Sequence, residues 1–190
     1  EFRRVLFRSV HAFNAMRPFS HRDPGILGAV LTDASIFAEI IADGVHVAPE
    51  AVRLFAKAKG AERSILVTDA ISATDMPDGE YALGADRVHV AGGVCRDAEG
   101  RLAGSTLTPD RALRNFMTWT GMRLDDAVCA LTVNPAAALA LSGRGRLAEG
   151  RTADIVALNQ DLEVTHRSEE HTSELQSRFG IFVCRLLLDK

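Results

Sequence analysis

The chain has 190 residues, 47% of them hydrophobic, and a formal net charge of -3. That is enough apolar material for a real core, as one large domain or as a domain and part of another. Both signs of charge are dispersed with no basic stripe, which argues against nucleic acid or an anionic membrane as the partner.

Three cysteines, Cys95, Cys129 and Cys184, lie far apart with no C-x-x-C pair. This usage fits a reducing compartment, the cytoplasm, and offers neither a disulfide framework nor a thiolate metal site. No cleavable signal peptide is evident. The apolar stretch at residues 179–188 is interrupted by Gly180 and Arg185 and is about half as long as a bilayer span.

In chain order, residues 1–9 carry three arginines around Val5-Leu6-Phe7, and the polar run at residues 167–177 has no period. Both resemble translated sequencing-adapter DNA. The first nine residues and residues 167–190 are therefore expected to be a non-native leader and tail without function.

Between them, Pro24-Gly25 breaks the chain and residues 26–31 form a short apolar helix or turn. Phe37-Ala38-Glu39-Ile40-Ile41-Ala42 is a strand with Asp43-Gly44 as its exit. A helix follows, with Pro49 at its first position, Glu50 facing the positive end of the dipole, Val52, Phe55 and Ala56 at core spacing, and Lys57, Lys59 and Gly60 at its close. Ile65-Leu66-Val67 is a continuous apolar run that suits a strand covered on both faces, and it ends abruptly in Thr68-Asp69. Strand, helix, strand implies parallel pairing. Ligands gather at the carboxyl ends of such strands, where Asp69 sits.

The rhythm then changes to alternation at residues 79–83 and 87–91, with turns at Gly92-Gly93 and at residues 97–100, a hairpin insertion near residues 79–103. Thr108-Pro109-Asp110 opens a helix with Leu113, Phe116 and Met117 on one face and Gly121 beyond its end. Residues 124–133 predict another helix, stopped where Asn134-Pro135 caps and starts the next, through residue 141. Residues 153–158 form a strand that leaves the main layer for a small separate β unit within residues 146–166.

The candidates for chemistry are His11, Asn14, Arg22, His46, Asp69 and the loop Leu102-Ala103-Gly104-Ser105-Thr106. Singly, each has an ordinary alternative: a hydrogen-bonded structural histidine, an asparagine bonding its own turn, a solvated arginine, an aspartate capping the next turn. His21 and His89 are left as rim or structural residues.

Together the order is specific. His11-Ala12-Phe13-Asn14-Ala15-Met16-Arg17-Pro18-Phe19 comes first, then His21-Arg22-Asp23-Pro24-Gly25. Ile41-Ala42-Asp43-Gly44-Val45-His46-Val47, Val67-Thr68-Asp69-Ala70 and Leu102-Ala103-Gly104-Ser105-Thr106-Leu107-Thr108 follow. This set resembles the N-acetylglucosamine-6-phosphate deacetylases of the metal-dependent amidohydrolase superfamily. The likeness runs over residues 10–166, closing on Asn134-Pro135-Ala136 and Gly150-Arg151-Thr152-Ala153-Asp154-Ile155-Val156.

The resemblance implies an α/β fold, a (β/α)8 TIM-type barrel with a small β-sandwich, working in amino-sugar catabolism. It implies His11 as a ligand of a divalent metal, zinc by expectation, and Asn14 and Ala15 against the phosphate of a small-molecule sugar phosphate. Arg22 is implied to reach that phosphate across a homodimer interface, His46 to bind substrate, Leu102, Ala103, Gly104 and Ser105 to line the sugar, and Asp69 to be the catalytic acid-base. The family's other ligands, a glutamate and a further histidine from earlier strands, have no counterpart here. A complete barrel takes roughly 250 residues, so the matching stretch is expected to be a C-terminal piece of the barrel (residues 10–145) with a remnant of the sandwich, inactive and aggregation-prone alone. Two alternatives remain. One is a dihydroorotase-like amidohydrolase, which would have no use for a phosphate set at Asn14, Ala15 and Arg22; the other is a sugar-phosphate-binding piece without catalysis.

Overall fold

A computed structural model describes residues 8–168 and the backbone of Arg185–Leu188. The expected leader therefore lies outside the described residues except at its end, where Arg8 and Ser9 form β1 (Arg8–Ser9) and pair with Phe37 and Ala38. The tail is described only at Arg167, Ser168 and residues 185–188.

The central unit is a three-stranded parallel sheet in the order β1, β2 (Phe37–Ile40), β3 (Ser64–Leu66). Helices α1 (Gly25–Thr32) and α2 (Pro49–Lys59) make the two connections, so parallel pairing follows as the alternation predicts. α2 starts at Pro49 after an extended Ala48 and stops at Gly60 with φ +69°. There proline's fixed φ and glycine's freedom of hand mark the two ends. Its buried face, Val52, Phe55 and Ala56, packs with Ile40, Leu66 and Phe116 in one core.

Lys59 does more than complement its own helix dipole. Its ammonium donates to the carbonyls of Val30 at 2.8 Å and Asp33 at 2.7 Å, closing the end of α1. Burial pulls its pKa down, against the attraction of Asp33.

The hairpin insertion is an antiparallel meander of β4 (Gly79–Leu83), β5 (Asp86–Ala91) and β6 (Val94–Arg96), turning at Gly92-Gly93. α3 (Pro109–Thr120) follows, with Ala112, Leu113 and Phe116 buried and left-handed Gly121 at its end.

The next stretch departs from expectation. α4 (Leu124–Ala127) passes into a 3-10 turn at Val128–Leu131, and the break falls at Thr132, before α5 (Val133–Ala138). Asn134 lies inside α5 rather than at its cap. Its side-chain amide donates to the carbonyls of Ala61 at 2.6 Å and Ser64 at 2.8 Å. Those carbonyls flank the entry to β3, so Asn134 ties a distant helix to the central sheet. Asn134→Ala removes the donor from both acceptors, that of Ser64 in a buried position, and is expected to cost roughly 2–4 kcal/mol in urea unfolding; a loss under about 0.5 kcal/mol would show that the tie is idle.

β7 (Ile155–Leu158) pairs antiparallel with β8 (Val164–Ser168) and parallel with β9 (Arg185–Leu188), a third sheet separate from the parallel one. It touches the main layer through Arg114 of α3, which bonds the carbonyl of Leu162 and the carboxylate of Asp110, each at 2.9 Å. Among the described residues no helix is long and apolar enough to cross a membrane.

Candidate active site

Parallel strands deliver their carboxyl ends to one edge, and three of the predicted residues lie on the turns just past them. His11 lies two residues past β1, Asp43 and His46 three and six past β2, and Asp69 three past β3.

The turn after β1 is held open by left-handed residues at His11 (φ +33°), Phe13 (φ +76°) and Ala15 (φ +54°). Such conformations cost about 1–2 kcal/mol each outside glycine, so contacts must impose them. The Ala12 N–H donates to the Glu39 carbonyl at 2.7 Å and the Asn14 N–H to the His11 carbonyl at 3.0 Å. The His11 Nδ1 lies 3.2 Å from the Asn14 carbonyl. With Nδ1–H donating there, the Nε2 lone pair is left free, which is the tautomer a metal ligand uses. Asn14 itself bonds back to the Ala12 carbonyl at 3.4 Å, and Ala15 is exposed.

Arg22 is exposed at the tip of a turn closed by the Asp23 N–H on the Ser20 carbonyl. An Arg17–Asp23 ion pair at 2.8 Å braces that turn and takes up its other charges.

After β2, Asp43 accepts the N–H groups of Val45 and His46 on Oδ1, at 2.9 and 2.8 Å, and meets His46 Nδ1 with Oδ2 at 2.7 Å. The two side chains are only 9% and 7% exposed, so His46 is held in place on this turn. Burial opposes the Asp43 charge, but the His46 ring and the two N–H groups outweigh it and hold the carboxyl below its ordinary pKa.

Asp69 occupies a left-handed position, φ +52°, with its side chain exposed. Its backbone is gripped by the loop expected to line a sugar. The Ser105 N–H donates to the Asp69 carbonyl at 2.8 Å, the Ile71 N–H to the Ser105 carbonyl at 3.0 Å, and the Ser105 hydroxyl to the Thr68 carbonyl. That hydroxyl also accepts the Leu107 N–H at 3.0 Å, and Ser105 is buried. Ser105 thus positions Asp69 with bonds that are already made, while Leu102, Ala103 and Gly104 are half-buried beside it. Gly104 has φ +70° and a Cβ there would stand 2.3 Å from Ile71 Cγ2, so only glycine allows this approach.

A cavity of about 490 Å³ is lined by Glu39, Thr68, Asp69, Asp110 and Leu113 among others. It takes in Asp69 but not His11, Asn14, Arg22 or His46. Glu39 is the link. Its carboxyl is raised, chiefly by burial, while Arg8, the His11 ring and a hydrogen bond from the His11 N–H pull the other way. Glu39 and Asp43 are the polar groups that a reading of the sequence passes over. The available signals were one charge in an otherwise apolar strand and an aspartate three residues before a histidine.

His11 suits one position in a divalent-metal shell. Such shells need three or four ligands, and among the described residues no three His, Cys, Asp or Glu side chains cluster closely enough to hold an ion.

Residues 10–180 match the model of the amidohydrolase family. The chain belongs to the amidohydrolase family. Among curated amidohydrolase relatives it is 43% identical over 155 residues to the N-acetylglucosamine-6-phosphate deacetylase of Lysinibacillus sphaericus, covering 82% of this chain and 40% of that protein. It is 44% identical over 156 residues to the N-acetylgalactosamine-6-phosphate deacetylase of Escherichia coli O157:H7, covering 82% and 41%. A putative N-acetylgalactosamine-6-phosphate deacetylase of Escherichia coli strain K12 is also 44% identical, and 93% of it is covered. The solved N-acetylglucosamine-6-phosphate deacetylase of Thermotoga maritima superposes with a TM-score of 0.83 at 41% identity, over 86% of this chain and 45% of that one. A variant of the Mycobacterium smegmatis enzyme, solved with N-acetyl-D-glucosamine-6-phosphate bound, gives 0.79 at 41% identity over 85% and 44%. The chain therefore spans about 40% of the length of the first curated amidohydrolase relatives it matches.

Proposed function

We propose that this chain is the part of a (β/α)8 barrel that carries the acid-base and substrate-facing residues of an N-acetylglucosamine-6-phosphate deacetylase, followed by strands of a small β-sandwich. The observation that carries the reading is Asp69, its backbone fixed at the end of a parallel strand by the 102–106 loop, one strand away from His46 and two from His11.

His11 Nε2 would be one ligand of a divalent metal, zinc by this reading, which would supply the Lewis acidity that makes water nucleophilic and polarises the acetyl carbonyl. Asp69 takes the proton of the attacking water and delivers it to the amide nitrogen as the C–N bond breaks, leaving acetate and the free amine of glucosamine 6-phosphate. Asn14, Ala15 and the uncommitted guanidinium of Arg22 take the phosphate. Arg22, projecting on its braced turn, serves the site of a second copy in a homodimer, where its planar donor fork suits phosphate oxygens. His46 contacts the same substrate, and the reaction belongs to cytoplasmic amino-sugar catabolism.

The test is acetate release by the intact protein that contains this segment, purified with zinc. N-acetylglucosamine 6-phosphate should be the best substrate, with N-acetylgalactosamine 6-phosphate as the close competitor because relatives of both kinds match equally well. Turnover of dihydroorotate with no turnover of either sugar phosphate would overturn the reading. The 190-residue chain alone, given zinc, should release no acetate, since one imidazole cannot complete the metal shell; robust turnover by it would contradict the assignment of ligands.

A further inference from the structure

We infer that Asp43 is a positioning residue for His46: it keeps the ring's proton on Nδ1 and so reserves Nε2 as the atom that meets the sugar phosphate. The inference rests on the deacetylase reading for the identity of the substrate, and on the geometry after β2 for the rest.

Asp43 divides its two oxygens between separate tasks. Oδ1 accepts the N–H groups of Val45 and His46, which shapes the turn, while Oδ2 accepts from His46 Nδ1 at 2.7 Å. A turn alone needs only Oδ1. The second contact lies between side chains 9% and 7% exposed, where a misplaced donor is costly. Nε2 has no partner among the described residues, nor is it one of their buried polar atoms left without a bond. It is therefore left open to a ligand, on a turn that follows β2 as those of His11 and Asp69 follow β1 and β3. A carboxylate on one side of an imidazole orients the ring and balances any positive charge it takes up when an anionic oxygen binds on the other.

Asp43→Asn separates the two tasks. The amide oxygen keeps both turn N–H groups, but the amide NH2 replaces the acceptor at Oδ2, so Nδ1 must give up its proton and the neutral ring carries it on Nε2 instead. In the intact, zinc-loaded protein, nitrogen-15 NMR of wild type without ligand should show His46 protonated on Nδ1 and bare on Nε2 in its neutral form. In Asp43→Asn the two should exchange. KM for N-acetylglucosamine 6-phosphate should rise roughly 10-fold to 100-fold, the scale of losing a charge-assisted contact, with kcat within about threefold and the thermal midpoint little changed. A purely structural turn would lower the midpoint and leave the ring proton and KM alone, and that result overturns the inference. Should the variant not fold, the wild-type ring decides: a neutral His46 with its proton on Nε2 is equally fatal. If the wild type releases no acetate, the deacetylase reading fails. If it does, and the variant matches it in ring proton and KM, only the role of Asp43 fails.

Discussion

Asp69→Asn in the intact protein should lower kcat for N-acetylglucosamine 6-phosphate by about 100-fold to 10,000-fold, the usual range for losing a positioned acid-base group, with KM nearly unchanged. The substitution keeps size and leaves the backbone anchors in place, because the Asp69 carbonyl, not its side chain, accepts from Ser105. An amide cannot accept the water proton, so the lost interaction is one made only as the bond breaks. Single-turnover and steady-state kinetics check this. Near wild-type kcat would remove Asp69 from its role, and a large rise in KM with kcat intact would make it a binding residue instead.

The second large effect is expected at Gly104. In Gly104→Ala the new Cβ meets Ile71 Cγ2 at 2.3 Å and the Asp69 carbonyl oxygen at 3.2 Å, from a backbone at φ +70°. The left-handed strain and the overlap together should cost roughly 2–5 kcal/mol. Ile71 is also bonded through its N–H to the Ser105 carbonyl, so relief must come by pushing the loop away from Asp69. The expected outcome is a lowered unfolding midpoint in denaturant and a fall in kcat well beyond the loss of folded protein. A variant stable and active as wild type would mean that the loop does not hold the carboxylate.

What the sequence made legible was local. Pro49 and Gly60 bound α2, Gly92-Gly93 turns the meander, and Pro109 with Gly121 frames α3, because proline and glycine act on the backbone within one or two residues. His46 and Asp69 were legible as strand-end residues because strand ends in a parallel sheet share an edge, whereas His11 stood out only as part of the run that resembles the family. The rest depends on contacts that span the chain. Asn134 reads as a helix cap, yet its amide serves carbonyls about 70 residues away. Lys59 reads as a dipole-matching charge, yet it closes the end of another helix. The break falls at Thr132, earlier than Asn134-Pro135 suggested. Ser105 reads as a sugar contact, yet its hydroxyl is committed to Thr68 and Leu107. Arg8 and Ser9, set aside with the leader, pair in the sheet.

Soaking N-acetylglucosamine 6-phosphate into crystals of the intact, metal-loaded Asp69→Asn protein tests the central geometry most directly. The substrate amide should lie within hydrogen-bond reach of residue 69, at about 2.6–3.2 Å, with His11 Nε2 on the metal. An amide bound beyond that reach, or His11 turned away from the metal, would contradict that geometry.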